Sequence, residues 1–460
     1  MFFRSFFDEK LAHMSYLVGC QKTGEAIIID PARDLTAYLE TSKKEGLSIT
    51  AIAETHIHAD YLSGAKEAAD VLGATLYLSD EGADQWKYEY ASSYPHQLLK
   101  EKDSFSIGNI GFEVLHTPGH TPESISFLLT DKGGGAHEPM GLFSGDFLFV
   151  GDVGRPDLLE KVAGARGNSA EGAKQMFHSL QKMNQLPEFL QVWPAHGAGS
   201  ACGKSLGAVP MTTLGYEKKY NWAFQINDEA SFIEELLSGQ PEAPRYFAQM
   251  KKWNKEGPKR LSQNSIERVE TVPEKQLIVD TRPAEEFAKN HLANAINIPL
   301  NRSFPNWAGW IIQYEEAIYL ISYENEIDEV VRALQSIGLD SIKGYMTPAD
   351  ALNLKNLKGY EEVEVEQANS LIQDDKYYLL DVRNQNEWDR GHIKEAHHLM
   401  LGHLRQHAQE LPKDKTIITQ CQSGARAAIG ASLLQSEGFK VMNMKGGFSE
   451  WEKKDLPVEK

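Results

Sequence analysis

Between Ser15 and Leu129 the chain alternates short apolar runs with polar or helix-patterned stretches. SYLVG, AIIID, TAIAET, ATLYL, FEVLHT and ISFLL have the length and composition of strands, and SGAKEAADVLG has the spacing of a helix. This alternation predicts an α/β sandwich. The pattern gives way between Gln240 and Glu267 to a stretch rich in Pro, Lys, Gln and Asn with little periodicity, which places a domain over 1–242 and a linker over 243–264. The remainder contains a duplication. Asp280, Arg282, Glu286, His291 and Ala295 recur 101 positions later as Asp381, Arg383, Glu387, His392 and Ala396. Each copy predicts a strand ending in an Asp-x-Arg turn, a helix, a second strand, and further on a strand, a loop and a helix stopped by Gly338 or Gly438. Two small α/β domains are therefore expected, over 265–357 and 358–460. A unit this long that occurs twice denotes paired domains and not a solenoid.

Composition narrows the function. A length of 460 residues exceeds what one core serves, and 41% hydrophobic content excludes disorder for most of the chain. No stretch is apolar for long enough to predict a membrane span, and Asp8, Glu9 and Lys10 interrupt what would be the apolar part of a signal peptide, so a cytoplasmic protein is expected. Lys and Arg number 47 against 65 Asp and Glu, a net charge of -18, which argues against a nucleic-acid partner. Cys20, Cys202 and Cys421 lie 182 and 219 residues apart, so they form no disulfide framework. Any special cysteine here is a reactive thiol in a reducing compartment.

Four strand ends carry the chemistry of the first domain. His56, His58 and Asp60 follow AIAE; His116 to His120 follow FEVL; Asp146 follows GLFSG; and His196 follows FLQVWPA. One such His is ordinarily a hydrogen-bonded loop residue. Four sets at equivalent places predict a site for a divalent transition metal, built from imidazoles and carboxylate. These motifs resemble the metallo-β-lactamase superfamily, whose signature is HxHxDH, then HTPGHT, a GD and a late His. The resemblance implies an αββα sandwich. It departs at one position, because Tyr61 stands where the signature has its last His, so a second metal loses a nitrogen ligand.

With that ligand gone, the resemblance implies a mononuclear centre of His56, His120 and Asp146, a two-His-one-carboxylate set suited to Fe(II), one per chain. His58, Asp60 and His196 would then orient the ligands. THIHADYLSG, HTPGHTPESISF, FSGDFLFVGDVGRPDL and PAHGAGSACGKS resemble the persulfide dioxygenase branch. There Fe(II) takes O2 and a persulfide, and sulfite leaves. By the same analogy Arg155 and Asp157 would position the thiol substrate, and Cys202 could relay a sulfur atom if Lys204 lowered its pKa. The glyoxalase II branch of thioesterases shares most of the signature and is the competing reading.

Cys421-Gln422-Ser423-Gly424-Ala425-Arg426 follows the apolar run TIIT and precedes a helical pattern. A thiol there faces free backbone N–H groups and the positive end of a helix, which stabilise a thiolate. Gly424 permits a tight loop, Ser423 can donate a hydrogen bond and Arg426 adds charge near a bound anion. With the Asp-x-Arg turn upstream and GGFSEW downstream, this half resembles rhodanese sulfurtransferases, small α/β domains with parallel sheets. The related dual-specificity phosphatases have a loop one residue longer, sized for a phosphoryl group. No cysteine occurs from 203 to 420, so the preceding copy is expected to be a rhodanese-like domain without sulfur chemistry.

The whole chain resembles the fused persulfide dioxygenase–sulfurtransferases of staphylococcal type. That resemblance implies sulfide detoxification: a low-molecular-weight persulfide of glutathione, coenzyme A, bacillithiol or cysteine, O2 and sulfite as reaction partners, thiosulfate as product, and a homo-oligomer. A non-catalytic sulfur carrier is the alternative from outside enzymology.

Overall fold

The computed structural model describes residues 1–158, 168–204, 206–261, 265–273 and 275–459. They form two compact units, Met1–Leu261 with Ser336–Gly338, and 262–335 with 339–460.

The first unit is built on two six-stranded sheets. One contains β1 (Phe2–Asp8), β2 (His13–Cys20), β3 (Glu25–Ile29), β4 (Ser48–Ala53), β5 (Thr75–Ser79) and β6 (His96–Leu99) in that spatial order. It is antiparallel across β1 to β3 and parallel from there on. The other contains β7 (Ser104–Ile107), β8 (Ile110–His116), β9 (Ile125–Asp131), β10 (Gly141–Gly145), β11 (Gln191–Pro194) and β12 (Thr212–Thr213).

Alternation along the strands decides the layering. On β2, Met14, Tyr16 and Val18 meet Phe112, Phe127, Phe143 and Trp193 in the core between the sheets. Leu17 points the other way, into a second core shared with Tyr38 and Ala68 of the covering helices Thr36–Lys44 and Ala65–Leu72. The outer face of the second sheet packs Leu142 and Val192 against Met176 and Leu180 of the helix Asn168–Met183. The result is an αββα sandwich.

The stretch expected as a linker over 243–264 departs from that expectation, apart from residues 262–264, which lie outside the described residues. It holds the helix Tyr246–Glu256, whose Tyr246, Phe247, Met250 and Asn254 are buried in the first unit. Those positions fall at i, i+1, i+4 and i+8, a helical stripe that the surrounding lysines and glutamines obscure in the sequence.

The second unit carries the duplication. Its first parallel sheet has β13 (Leu277–Asp280), β14 (Ala295–Asn297), β15 (Ile318–Ile321) and β16 (Ile342–Met346) in the order β14-β13-β15-β16. The second has β17 (Glu361–Val363), β18 (Tyr377–Asp381), β19 (His397–His398), β20 (Thr416–Gln420) and β21 (Lys440–Met444) in the order β17-β21-β20-β18-β19.

The repeat extends to atoms. Arg282 forks onto Asp280 at 2.6 Å and donates to the Asn290 carbonyl, while Arg383 forks onto Asp381 at 2.7 Å and donates to the Gly391 carbonyl. His291 stacks on Phe287 at 3.7 Å, and His392 on Trp388 at 3.6 Å. Arg405 of the second copy grips Glu316 of the first at 2.6 and 2.7 Å. Among the described residues, no helix is long and apolar enough to cross a membrane.

Candidate metal centre and cysteine loop

The loops leaving β4, β8 and β10 bring three side chains to one point. His56 Nε2 lies 3.8 Å from Asp146 Oδ2, and His120 Nε2 lies 3.5 Å from the same oxygen. All three residues are at most 3% exposed. Two atoms that each ligate one ion at about 2.0–2.2 Å are separated by about 3–4 Å, so the spacing suits a shared metal.

Neighbouring groups fix the tautomers. The Thr55 hydroxyl donates to Asp30 Oδ2 at 2.9 Å, so its lone pair accepts from His56 Nδ1 at 3.0 Å and leaves Nε2 unprotonated. His120 Nδ1 donates to the Arg155 carbonyl at 2.9 Å with the same consequence. His56 Nε2 and Asp146 Oδ2 are buried without a hydrogen-bond partner, and these are the atoms that face each other. A divalent cation would satisfy both.

Electrostatics keep this donor set ready. Burial, reinforced by the neighbouring His58 charge, pushes the His56 pKa well below the ordinary imidazole value. Burial also lowers His120. Asp146 is held well below the carboxylate range although burial opposes it, because His196 donates to it from 2.6 Å. The other nitrogen of His196 donates to Asp60 Oδ2 at 2.7 Å, and the two carboxylates overcome burial to hold the His196 pKa up to about 10.

His58 sits 3.2 Å from both Asp30 and Glu54, which outweigh burial and keep it cationic. Tyr61 donates to the Asp30 carbonyl at 3.3 Å and its ring meets that of His13 at 3.9 Å, tilted by 35°. Gly145 closes the arrangement. Its φ of +55° and the 2.5 Å gap between a built Cβ and Thr55 Oγ1 admit no side chain where Thr55 must approach.

A second group of donor atoms lies beside the first: Asp60, His196 and Cys202 all fall within 4.8 Å of one another. Cys202 does not match the expectation of a lowered pKa. It is 2% exposed, and burial together with the carboxylates of Asp146 and Asp60 pushes its thiol well above the ordinary value. Lys204 offers no compensation, since its ammonium bonds the Glu235 carbonyl and lies 3.6 Å from the Glu235 carboxylate.

Arg155 and Asp157, expected at the thiol substrate, are instead a buried fork. Arg155 pairs with Asp157 through two 2.7 Å bonds and donates further to the carbonyls of Ala201 and Pro241. With its donors spent on protein, Arg155 serves the centre through its carbonyl on His120.

Four supports escaped the reading of the sequence. Asp30, the residue after β3, has φ +52° and accepts from the Thr55 amide, the Thr55 hydroxyl and His58. The Asp-Pro that follows AIII was its only local signal. Glu54, the residue after β4, pairs with His58. Glu123 accepts from the Ile57 amide at 2.9 Å. Asn254, on the helix Tyr246–Glu256, donates to the carbonyls of His58 and Tyr61 and accepts from the Ser63 amide, at 2.7–2.9 Å.

Two expected outcomes follow from these supports. Asn254→Ala strands three buried backbone groups, costs about 3 kcal/mol in denaturant unfolding, and lowers metal occupancy measured by elemental analysis. Burial lifts the Glu123 pKa from 4.5 to about 7, so the folded state holds this proton more tightly than the unfolded chain. That stabilisation is present at low pH and lost as pH rises through 7. Glu123→Gln should therefore be more stable than the parent at pH 8 by about 3 kcal/mol and equal to it near pH 4, read from unfolding curves at both pH values.

In the second unit, Cys421 follows β20 and is 1% exposed. Its Sγ accepts from the Gly424 amide at 3.1 Å, and Gly424, at φ +99°, caps the helix Ala425–Ser436. The thiol thus lies at the positive end of that helix. Ser423 is exposed on the loop. Arg426 does not point its fork at an incoming anion as expected; both arms bond Glu387 at 2.5 and 2.7 Å, and its charge acts on the thiol only through space.

The other copy shows why it lacks this chemistry. Asp280 pairs with Ile321 as Asp381 pairs with Gln420, so Ser322 occupies the place of Cys421. Tyr323 donates to Glu286 at 2.6 Å, taking the role that Arg426 plays on Glu387. Glu324 and Glu326 follow, and an acidic loop repels anions.

Residues 9–196 match the metallo-beta-lactamase superfamily, and residues 263–348 and 364–454 each match the rhodanese-like domain. The chain is similar to a crystal structure of a metallo-beta-lactamase from Staphylococcus aureus subsp. aureus COL, with 48% identity and a TM-score of 0.71 over 76% of this chain and 99% of that one. Two relatives each match less than half of this chain. The mitochondrial persulfide dioxygenase of Mus musculus is 29% identical over 196 residues, 42% of this chain and 67% of that protein. A hydroxyacylglutathione hydrolase of Tolumonas auensis is 32% identical over 191 residues, 40% of this chain and 61% of that protein. With its sandwich, its strand-end ligand loops and its duplicated parallel sheets, the chain belongs to the metallo-beta-lactamase superfamily and carries two rhodanese-like domains behind the metallo-beta-lactamase domain.

Proposed function

We propose that the chain oxidises a low-molecular-weight persulfide with O2 at a single Fe(II) in the first unit, and passes sulfane sulfur through Cys421 to sulfite in the second. The observation that carries this reading is the convergence of His56, His120 and Asp146 on one point, with Tyr61 bonded away from it. Such a set leaves coordination positions free and suits non-haem Fe(II). When bound, Fe(II) supplies the redox chemistry that lets O2 react with a persulfide.

The chain's own residues hold that centre and keep it dry. Thr55 and the Arg155 carbonyl present the two imidazoles in the ligating tautomer, His196 orients Asp146, and the burial of all three ligands excludes bulk water. The net reaction is RSS⁻ + O2 + H2O → RS⁻ + SO3²⁻ + 2H⁺. In the second unit the Cys421 thiolate attacks the outer sulfur of a persulfide, the S–S bond breaks and the thiolate RS⁻ leaves. Sulfite then attacks the outer sulfur of the Cys421 persulfide, giving thiosulfate and regenerating the Cys421 thiolate. The Gly424 amide and the helix behind it stabilise the anion held between the two steps.

The test is elemental analysis of the purified chain together with O2 uptake on adding glutathione persulfide. One iron per chain with O2 consumed is expected, and a chain inert to O2 overturns the reading. The cluster of Asp60, His196 and Cys202 favours a second reading, a two-metal hydrolase of the glyoxalase II type. Two zinc ions per chain and cleavage of a thioester would establish it.

A further inference from the structure

The copy without a cysteine shares a cavity with the copy that has one. A pocket of about 420 Å³ is walled by Asn301, Ser303 and Trp307 of the first copy and by Ala425, Arg426 and Ile429 of the second. Ala425 and Arg426 lie on the first turn of the helix Ala425–Ser436, directly after the Gly424 amide that bonds the Cys421 sulfur, and Ile429 lies on the second. Trp307 is half-buried, with one side left to the cavity. The volume falls within the range of small-molecule sites, and the mix of an aromatic face, aliphatic walls and a few polar groups is what such sites present.

From this placement we infer that the pocket binds the organic body of the low-molecular-weight thiol that delivers sulfur to Cys421, with Trp307 as its platform. The inference rests on the reading of Cys421 as a sulfur acceptor and adds the recognition of the donor. The copy that has Ser322 in place of a cysteine thus supplies specificity, and the copy with Cys421 supplies the bond exchange. In the transfer RSS⁻ + Cys421-S⁻ → RS⁻ + Cys421-SS⁻, the group R rests between Trp307 and Ile429 while its terminal sulfur reaches the loop. A polar organic body of cysteine or tripeptide size fits the volume. Asn301 and Ser303, both exposed and lining the cavity, supply polar groups for its amides and carboxylates, while Arg426, bound to Glu387, forms part of the wall.

The experiment compares two donors, one with an organic body and one without. The full chain is mixed anaerobically with glutathione persulfide or with thiosulfate, and loading of one extra sulfur on Cys421 is followed by rapid quench and mass spectrometry. Trp307→Ala should lower the ratio of the two loading rates, persulfide over thiosulfate, about tenfold, the size of one lost aromatic contact. Trp307→Phe should restore most of the ratio. Ser303→Trp fills the cavity from an exposed position whose hydroxyl makes no capping bond, and should lower the same ratio without touching the core. A ratio that stays constant in Trp307→Ala and in Ser303→Trp overturns the inference, whatever common change both donors undergo. A parent chain that takes sulfur from neither donor instead overturns the assignment of Cys421, so the two failures are told apart.

Discussion

Replacing His120 by Ala lowers persulfide-dependent O2 consumption by about 1,000-fold or more and leaves the chain without its metal. The imidazole is one of the three donors that converge on this point among the described residues, and a methyl group in its place leaves His56 and Asp146 alone to hold an ion. The loss should appear together in iron per chain and in O2 electrode traces. Loading of Cys421 from thiosulfate should persist in this variant, because that step draws on the second unit alone. If O2 consumption in His120→Ala stays within tenfold of the parent, the three-ligand centre is wrong.

Cys421→Ser produces the second large effect, on product identity. The nucleophile is lost, thiosulfate falls to the uncatalysed level, and sulfite accumulates at one per O2 consumed. A serine hydroxyl in the same cradle is not ionised and holds no sulfane sulfur. Ion chromatography of the two anions, run beside the O2 trace, reads the change directly. Thiosulfate formation that survives this substitution would mean that sulfur reaches sulfite by another route.

What could be read from the sequence divides along one physical line. Where the members of a candidate site lie close together in the chain, the motif is visible: the loop of His56 to Asp60, the turn to His120, Asp146 after its strand, and the loop from Cys421 to Arg426. The sheets were visible for the same reason, because strand alternation is local. The supports were hidden where their partners are distant. Asp30 acts on Thr55 and His58 across more than twenty positions, and Asn254 acts on the His58 loop across about two hundred. Neither carries a local mark beyond a strand end or a helix stripe.

Charged residues misled in a characteristic way. Arg155, Lys204 and Arg426 each stand near a reactive group in sequence, yet each finds a carboxylate or carbonyl in the fold, Asp157, Glu235 and Glu387 respectively. Proximity in sequence fixes where a charge is anchored. Competition among nearby carboxylates and carbonyls fixes where it points.

The helix Tyr246–Glu256 also sets where this polypeptide can be divided. A truncation at residue 242 would discard Asn254, and the loop bearing His56 would lose its brace even though every ligand remained encoded. Recombination between such chains, in the laboratory or in evolution, therefore has its safe crossover beyond Leu261. A swap there keeps Asn254 with the loop that it braces, provided the incoming tail also supplies the short Ser336–Gly338 segment that belongs to the first unit.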